Sequence, residues 1–513
     1  MRKSLETTYD VAVVGGGING CGIARDSAGR GLSVALFEKD DLAQATSSSS
    51  TKLIHGGLRY LEHYEFRLVR EALTEREILL KSAPHIIWPM RFVLPHHKEL
   101  RPAWLLRCGL FLYDHIGGRK LLPATKTLDL RTNECGKPLI NMFKKGFEYS
   151  DCWVDDARLV ALNALDAKGH GADIYTQTRC THAERVDGIW HVTVKSNIDN
   201  SSRMIKAKAL VNAAGPWVDE LLGAINERKA DQKNVRLVRG SHVIVPKLYD
   251  HDRAYIFQNA DDRIIFAVPY EQDFTLLGTT DQEHDSMDTP VEITERETQY
   301  ICDAASVYFK KSITRESVVW TYSGVRPLFN DGASEAKEAT RDYVLKVSDV
   351  EGKAPLLNIF GGKITTYRHL AEDALEKLAN YLPNMGKAWT SEASLPGGEF
   401  GVSEVDQLTA KLQSDFPFLS EQWATRLFKA YGMLAWRLLE GAKVKEDLGQ
   451  SFAATLTETE LVYLQDVEWA TTSEDVLWRR TKLGLHMTES ERTEVADWFA
   501  QQSEVSKVVS NVG

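Results

Sequence analysis

Three glycines near the start of the chain are the first residues whose spacing could carry chemistry. The stretch 15–20 reads GGGING and has the spacing G-x-G-x-x-G, which is typical of loops that bind the pyrophosphate of a dinucleotide. In such a loop Gly15 allows a tight turn, Gly17 lets a phosphate approach the backbone, and Gly20 lets a helix pack closely on a strand. Glu38 follows about 20 residues later, where an acidic residue accepts a hydrogen bond from a ribose hydroxyl. The spacing therefore predicts a dinucleotide site.

Two polar segments that follow could add to this site. Residues 44–52 form a hydroxyl-rich loop, and hydroxyl groups suit contacts to phosphate and ribitol; a flexible linker is the alternative. In the next segment two glycines lie between His55 and Arg59, which indicates a functional loop; a purely structural histidine is the alternative.

A sheet must bring these residues together, and the apolar runs of the chain predict one. Residues 11–14 and 32–37 predict buried strands, and residues 21–30 predict the helix between them. A strand–turn–helix context is what makes the glycine motif informative. Later strands, predicted at 207–213 and 356–360, each run into a glycine turn and return the chain to the same sheet.

The rest of the chain divides into regions of different pattern. Residues 235–326 read mainly as strands and predict an antiparallel sheet inserted into the nucleotide-binding domain. Residues beyond 383 read as mostly helical, and residues 394–402 are the expected linker into that region.

Length and composition limit the class of protein. A chain of 513 residues is expected to form two or three domains, and its net charge of −10 argues against bulk binding of nucleic acid. The six scattered cysteines form no C-x-x-C pair and no metal-like cluster, which indicates reduced thiols in the cytosol and no metal site. We expect neither a signal peptide nor a membrane span, because no apolar stretch suits either.

Residues 91–145 are basic although the whole chain is acidic. They contain eleven Lys and Arg residues and four Asp and Glu residues, a local net charge of +7. The apolar run 103–113 lies within them and is rimmed by Arg and Trp, which favours a position at a membrane interface. A buried helix with a solvated basic flank is the alternative.

The single glycine motif favours FAD as the cofactor. A flavoenzyme that also binds a nicotinamide usually needs a second nucleotide site, and the sequence has only one such motif. A disulfide reductase is not favoured, because no C-x4-C dithiol occurs. FAD can be reduced by one substrate and reoxidised by another acceptor without leaving the protein.

Longer stretches of the chain resemble the FAD-dependent aerobic glycerol-3-phosphate dehydrogenases. The similar stretches are residues 13–39, 46–73, 145–159 (KGFEYSDCWVDDARL), 212–218 (NAAGPWV), 320–328 (WTYSGVRPL), 360–368 (FGGKITTYR) and, near the C-terminus, 476–485 (VLWRRTKLGL). The resemblance implies oxidation of sn-glycerol 3-phosphate to dihydroxyacetone phosphate, by hydride transfer from C2 to N5 of FAD. It also implies that membrane quinone reoxidises the flavin.

The resemblance implies an α/β fold as well. The expected architecture is an FAD-binding Rossmann-like domain of the glutathione-reductase or D-amino-acid-oxidase type, with an inserted antiparallel-sheet substrate domain and a C-terminal helical domain. The expected bounds are 1–83, 146–234 and 341–385 for the FAD-binding domain, 84–145 and 235–340 for the substrate-binding region, and 386–513 for the helical domain.

Roles for individual residues follow from the resemblance. His55 is implied near the reacting alcohol, where an imidazole can act as general base. Arg59 and Arg326 are implied as phosphate ligands, because the planar guanidinium binds two oxygens at once. Lys363 would place a positive charge near the flavin or the substrate oxygens. Tyr60 and Thr279 are further candidates for hydrogen bonds to the substrate.

The residues expected to bind the cofactor come from five segments. They are Gly15, Gly17, Ile18, Asn19, Gly20, Glu38, Thr46, Ser47, Ser48, Thr51, Lys52, Leu53, Ala214, Gly215, Gly362, Lys363, Ile364 and Thr365.

The expected partners are glycerol 3-phosphate, membrane quinone and the inner face of the cytoplasmic membrane, and the resemblance suggests a homodimer. Three alternatives stay open at this point. The first is a glycerol-3-phosphate oxidase that uses oxygen, the second is an amine or amino-acid oxidase of the same fold, and the third is an FAD-binding membrane-surface protein without turnover.

Overall fold

The computed structural model describes residues 8–225, 227, 233–259, 263–332 and 342–512. Residues 1–7, on which the expectation of no signal peptide depends, lie outside the described residues. The domain boundary expected at 340/341 also lies outside them. The strands are, in chain order, β1 (Thr8–Val14), β2 (Val34–Phe37), β3 (Leu53–Ile54), β4 (Ile87–His96), β5 (Lys126–Asp129), β6 (Lys145–Val154), β7 (Asp173–Tyr175), β8 (Thr178–Val186), β9 (Ile189–Ser196), β10 (Ser202–Asn212), β11 (Val235–Pro246), β12 (Ala254–Gln258), β13 (Ile264–Tyr270), β14 (Phe274–Gly278), β15 (Gln282–Glu283), β16 (Trp320–Phe329), β17 (Val344–Val350) and β18 (Lys353–Phe360).

The α-helices are α1 (Ile18–Gly29), α2 (Phe66–Ser82), α3 (Ala103–Ile116), α4 (Asp156–Gly169), α5 (Val218–Ala224), α6 (Glu295–Ser306), α7 (Tyr367–Leu378), α8 (Val405–Asp415), α9 (Glu421–Tyr431), α10 (Leu434–Leu438), α11 (Glu458–Glu468) and α12 (Glu489–Val512). In the part of the chain that the structure describes, no helix has the length and apolar character that crossing a membrane requires.

The glycine motif connects β1 to α1, as the sequence predicts. Gly15 has a φ of +115°, in the region that favours glycine. A Cβ atom at Gly15 would lie 2.4 Å from the carbonyl oxygen of Ala213, and one at Gly20 would lie 1.9 Å from the carbonyl oxygen of Gly15. The start of α1 therefore packs against backbone on two sides, and neither glycine leaves room for a side chain.

The first sheet surrounds β1. Its order is β17-β18-β10-β1-β2-β7, and β8 and β9 extend it antiparallel from β10. The strands β18, β10, β1, β2 and β7 run parallel to one another. The last four residues of the interior strand β1, residues 11–14, are apolar and buried because both faces of a parallel sheet are covered. The expected return of the chain to this sheet at 207–213 and 356–360 is confirmed, since β10 pairs with β1 and β18 pairs with β10.

The second sheet is mostly antiparallel and lies over the carboxyl ends of the first. Its order is β15-β11-β14-β13-β12-β4-β6-β3, with β16 on β11 and β5 on β6. The pairing of β4 with β12 joins the two segments that were expected to form the substrate-binding region. β3 and β6 fall in ranges expected for the FAD-binding domain, but they pair in this second sheet. Parts of the ranges expected for the FAD-binding domain, on both sides of the expected border at residue 146, therefore belong to the second sheet.

The C-terminal helices have a core of their own. Residues such as Trp423, Phe428, Leu461 and Trp498 pack into one apolar cluster that is separate from the clusters of the two sheets. The fold class expected from the sequence is thus confirmed: a Rossmann-like domain, a second sheet above it and a helical C-terminal domain.

Candidate functional site

A cavity of about 850 Å³ lies between the two sheets. Val14, Ala213 and Gly361 line it at the carboxyl ends of the parallel strands β1, β10 and β18, where open α/β sheets bind ligands. Gly240 of β11 and Ser323 of β16 line the opposite side. The volume is in the upper part of the usual range for ligand sites, which is about 300–1,000 Å³.

The start of α1 forms a cradle for an anion in this cavity. Gly17, Ile18 and Asn19 line the wall, and the first N–H groups of a helix carry partial positive charge. The Ser47 hydroxyl accepts a hydrogen bond from the Ile18 N–H at 3.0 Å, so the serine loop lies against this helix end. The buried Oδ1 of Asn19 has no hydrogen-bond partner within the described residues. This backbone cradle of N–H donors fits the pyrophosphate of a dinucleotide such as FAD, and the orphaned Oδ1 acceptor suits a hydroxyl donor on the same cofactor.

Glu38 lies on the same wall, just beyond β2. Its carboxylate accepts hydrogen bonds from the Gly16 N–H at 2.6 Å and from the Asp40 N–H at 2.9 Å. Burial raises the pKa of Glu38, and the two N–H groups partly oppose that effect. The carboxylate is thus fixed beside the glycine turn, where it suits the ribose contact that the spacing predicts.

Most of the residues expected to bind the cofactor line the cavity. These are Gly15, Gly17, Ile18, Asn19, Glu38, Thr46, Ser47, Thr51, Leu53, Ala214, Gly215, Gly362, Lys363, Ile364 and Thr365. Gly20, Ser48 and Lys52 do not belong to the wall that the described residues form.

These three residues make packing contacts and contacts that hold the loop, and their direct contact with the cofactor stays a prediction without support from this geometry. Gly20 packs beneath Gly15. Ser48 donates its hydroxyl to the Ala45 carbonyl at 3.3 Å. Lys52 is buried, and its Nζ lies 2.8 Å from Oδ1 of Asp156. A short local hydrogen bond and a buried ion pair direct these side chains away from the cavity, and residue spacing alone does not reveal either.

Two of the substrate candidates, Arg326 and Thr279, meet at one corner of the cavity. A Cβ at Gly240 would lie 2.8 Å from a terminal nitrogen of Arg326 and 2.9 Å from Oγ1 of Thr279, so these two side chains meet over the glycine. Arg326 donates to the Thr280 carbonyl at 3.0 Å and pairs with Asp281.

Lys363 and Tyr60 form a second group on the cavity wall. Nζ of Lys363 lies 3.9 Å from the centre of the Tyr60 ring, a distance at which a cation is attracted to the ring face. Arg59, one residue before Tyr60, is not part of the wall formed by the described residues. Its role in binding phosphate stays a prediction without support from this geometry.

His55 lies on the wall and is electrically neutral at neutral pH. Burial is the main reason why its pKa falls below the ordinary value; Asp151 opposes this effect, and Lys363 and Arg76 add to it. The backbone N–H of His55 donates to Oγ1 of Thr365 at 3.3 Å. A neutral imidazole beside a lysine can accept a proton from a ligand hydroxyl.

A buried hydrogen-bond network supports the loop that carries His55. The Gly56 N–H donates to the Tyr113 hydroxyl at 2.8 Å, and that hydroxyl donates to the Asp151 carboxylate at 2.8 Å. Arg76 pairs with the same carboxylate at 2.7 Å. All three side chains are almost fully buried, so the loop is held by groups with few alternative partners.

His242 is a cavity residue that the sequence reasoning missed. It is on β11, and its Nε2 lies 2.9 Å from Oγ1 of Thr51 while its ring stacks on Tyr322 at 4.7 Å. Its buried Nδ1 has no hydrogen-bond partner among the residues described, and burial lowers its pKa to about 3. The available signal was a lone histidine within an apolar strand, but the pairing of β11 with β16 was needed to place it.

Comparison with known proteins adds two family matches. Residues 10–368 match the model of the FAD dependent oxidoreductase family, and residues 388–507 match that of the C-terminal domain of alpha-glycerophosphate oxidase.

Similar full-length proteins carry two different substrate names. The chain is 51% identical to the D-erythritol 1-phosphate dehydrogenase of Brucella abortus, covering 96% of this chain and 98% of that protein. It is also 51% identical to the glycerol-3-phosphate dehydrogenase of Pseudomonas aeruginosa, covering 97% and 96%. Among solved structures, the glycerol-3-phosphate dehydrogenase of Bacillus halodurans, complexed with FAD, aligns over 97% of this chain and 95% of that chain, with a TM-score of 0.75 at 26% identity.

The charge of Lys363 is expected to contribute to the lowered pKa of His55. Replacing it, as Lys363→Met, removes a positive charge that disfavours the imidazolium, so the pKa of His55 should rise. NMR titration of protein with ¹³C-labelled histidine measures this pKa, and the signal that His55→Gln removes identifies His55.

His251 provides an internal control in the same titration, because its lowered pKa arises from burial and from groups other than Lys363. Its signal should titrate at the same pH in both proteins. A His55 signal that also stays unchanged would contradict the coupling between Lys363 and His55.

Proposed function

The chain belongs to the FAD-dependent oxidoreductase family, whose model matches more than half of its residues, and we propose that it is a glycerol-3-phosphate dehydrogenase. It oxidises sn-glycerol 3-phosphate to dihydroxyacetone phosphate and passes the electrons to membrane quinone. Bound FAD supplies the hydride acceptor, N5, for the hydrogen on C2 of the substrate.

One observation carries this proposal. Arg326 and Thr279 meet at a corner of the same cavity that holds the dinucleotide cradle. The planar fork of N–H donors in a guanidinium suits a phosphate dianion. Arg326 lines the cavity, and its side chain is about a third exposed. Its present partner Asp281 is on the surface, where an ion pair is weak and easily exchanged for phosphate. Thr279 adds a hydroxyl group at the same corner, which donates to the Thr280 carbonyl at 3.2 Å and would turn to a bound phosphate.

His55 and Lys363 act at the alcohol end of the substrate. Neutral His55 takes the hydroxyl proton onto its unprotonated ring nitrogen as the hydrogen leaves C2. The Lys363 ammonium stabilises the negative charge that develops on that oxygen, and the face of Tyr60 holds the ammonium in position. Because the pKa of His55 is lowered, the base form persists to a pH below the ordinary histidine range.

D-erythritol 1-phosphate is the second candidate substrate. The relative of that name and the relative named for glycerol 3-phosphate are equally identical to this chain over almost its whole length. Both compounds are phosphate monoesters of polyols, so Arg326 and His55 suit either one. They differ by one carbon and one hydroxyl, and the proposed substrate is therefore tested against the alternative directly.

We expect glycerol 3-phosphate to bleach the visible absorbance of the bound flavin under anaerobic conditions. The titration is repeated with D-erythritol 1-phosphate, and glycerol 3-phosphate should give the larger kcat/KM. Bleaching by the erythritol compound alone would transfer the proposal to that substrate. An unbleached flavin with both would refute a polyol-phosphate dehydrogenase. Afterwards, reoxidation by a soluble quinone should exceed reoxidation by air; fast peroxide formation without quinone turnover would indicate an oxidase.

Removing the proposed phosphate ligand should weaken substrate binding. Arg326→Ala removes charge-assisted hydrogen bonds worth about 1.5–3 kcal/mol, so KM for glycerol 3-phosphate should rise roughly 10- to 100-fold. Steady-state kinetics with a soluble quinone measure this change.

Arg315→Ala is the matched control, because Arg315 also pairs with a surface carboxylate in the second-sheet region, that of Glu295. Its KM should stay within about twofold of the parent value. An equal KM for Arg326→Ala and the parent protein would exclude Arg326 as the phosphate ligand.

The membrane part of the proposal rests on the exposed apolar face of α3. Trp104 is 69% exposed and Phe111 is 58% exposed, while Leu110 and Tyr113 on the other face are buried. The sequence alternative of a buried helix is therefore wrong for half of α3. The exposed basic residues Lys98, Arg101 and Lys120 flank this face and suit an anionic lipid surface. Homodimer formation stays a prediction.

Polar replacement of this face should weaken binding to membranes. The double variant Trp104→Ser/Phe111→Ser removes two large side chains, each worth about 1.5–3 kcal/mol when fully buried, so partitioning should fall at least about tenfold. Sedimentation with anionic liposomes measures it. Ile198→Ser/Val307→Ser, at two other exposed apolar positions, is the control and should sediment like the parent protein. Equal sedimentation of both double variants would remove α3 as the docking surface.

A further inference from the structure

A short segment of the C-terminal domain contacts three elements that hold the cavity wall in place. They are the loop after β2, the start of α4 and the start of β16. The segment comprises residues 475–482 and begins with the π-helix Asp475–Arg480; we call it the clamp segment. It overlaps the stretch 476–485 (VLWRRTKLGL), which the proposed reaction does not use. None of its residues lines the cavity among those described, so any effect on the cofactor must pass through its partners.

The first contact fixes the loop that follows β2. Arg480 binds the Asp41 carboxylate with two nitrogens, at 2.9 and 2.7 Å, and Nε of Arg479 joins it at 2.6 Å. Arg480 and Asp41 are almost completely buried. In the same loop Ala43 lines the cavity, and its N–H donates to the Gly16 carbonyl at 3.1 Å. The ion pair therefore holds a loop that is bonded to the dinucleotide turn itself.

The second contact supports the hydroxyl-rich loop. Lys482 pairs with Asp155, the residue that caps the start of α4. The neighbouring Asp156 accepts the Ser50 hydroxyl at 2.7 Å and the Lys52 ammonium at 2.8 Å. Ser50 lines the cavity. The clamp segment thus orders the carboxylate pair on which this loop depends.

The third contact reaches the opposite wall. Trp478 stacks on Trp320 with ring centres 4.4 Å apart and an angle of 17° between the planes. Trp320 is the first residue of β16, and Ser323 and Arg326 further along that strand line the cavity. Between them, the Tyr322 hydroxyl donates to the Ser50 carbonyl at 2.8 Å, which connects this wall to the hydroxyl-rich loop.

We propose that the clamp segment consists of positioning residues for FAD, so that docking of the C-terminal domain and binding of FAD favour each other. A buried ion pair contributes little net stability compared with apolar packing, but it defines the relative position of the groups it joins. Here those groups belong to the C-terminal domain and to two cofactor loops. Thermodynamic coupling is reciprocal, so a loosened clamp must weaken FAD binding. The proposal concerns the cofactor and is independent of the identity of the substrate.

The decisive experiment follows the release of FAD from the holoenzyme. Arg480→Gln removes the charge of Arg480 and its two hydrogen bonds to Asp41, and leaves Arg479 as the remaining cation on that carboxylate. The rate constant for FAD release after dilution, measured by the fluorescence of free FAD, should rise at least tenfold. Arg480→Lys, which keeps the charge, should recover part of the loss. The thermal midpoint in excess FAD and without added FAD is measured alongside, and the stabilisation given by excess FAD should be larger in Arg480→Gln than in the parent protein.

Arg426→Gln is the matched control for a purely structural role. Arg426 is in the same domain and binds Glu460 with two nitrogens, both at 2.7 Å, but neither residue bonds to a cavity loop among the residues that the structure describes. This variant should lower the thermal midpoint while FAD release stays within twofold of the parent rate. Equal FAD release from Arg426→Gln and Arg480→Gln would overturn the proposal, because the loss would then reflect general destabilisation.

Trp478→Leu keeps the test decisive if Arg480→Gln does not fold. It breaks the stacking on Trp320 without leaving a buried charge unpaired, and FAD release should rise at least threefold. If both variants fold, FAD release at the parent rate from both would refute the clamp. If Arg480→Gln does not fold, FAD release at the parent rate from folded Trp478→Leu would refute it alone. Because flavin release is measured in the absence of substrate, failure here leaves the proposed dehydrogenase activity untouched.

Discussion

The close approach of backbone segments at Gly15 is the constraint on which the rest of the structure depends. The end of β1, the start of α1 and the turn after β10 meet there without room for a Cβ atom. This contact directs the first N–H groups of α1 into the cavity and sets the position of Glu38 beside them. The serine loop, the His55 loop and the turn after β18 are all arranged around that point.

The sequence predicted the features that depend on local pattern. The glycine turn, the return of the chain at β10 and β18, and a helical C-terminal region each leave a signature within a few neighbouring residues. By contrast, Ser48 and Lys52 were assigned to the cofactor because they share a polar loop with Ser47. Which side of that loop faces the cavity depends on Asp156, which is about a hundred residues away in sequence.

His242 escaped prediction for a related reason. Its place in the cavity follows from its pairing opposite Tyr322 and Gly278, and strand register between distant segments is not encoded in the residues next to it. Arg59 illustrates the converse, because it belongs to a motif of the family but does not reach the wall. Family resemblance therefore identified the class of enzyme more reliably than it identified which side chains line the cavity.

The repeated passage of the chain between the two sheets also limits how the cavity opens. The chain passes from one sheet to the other between β2 and β3, between β6 and β7, between β10 and β11, and between β16 and β17. A hinge works when few segments cross between two bodies, so that one or two of them absorb the rotation. Here four crossing segments would have to bend at once. The contacts that Trp478 and Arg480 of the π-helix make with both walls would have to break as well. Ligand exchange in this protein is therefore a matter of side chains and short loops at the cavity mouth, and not of two lobes swinging apart.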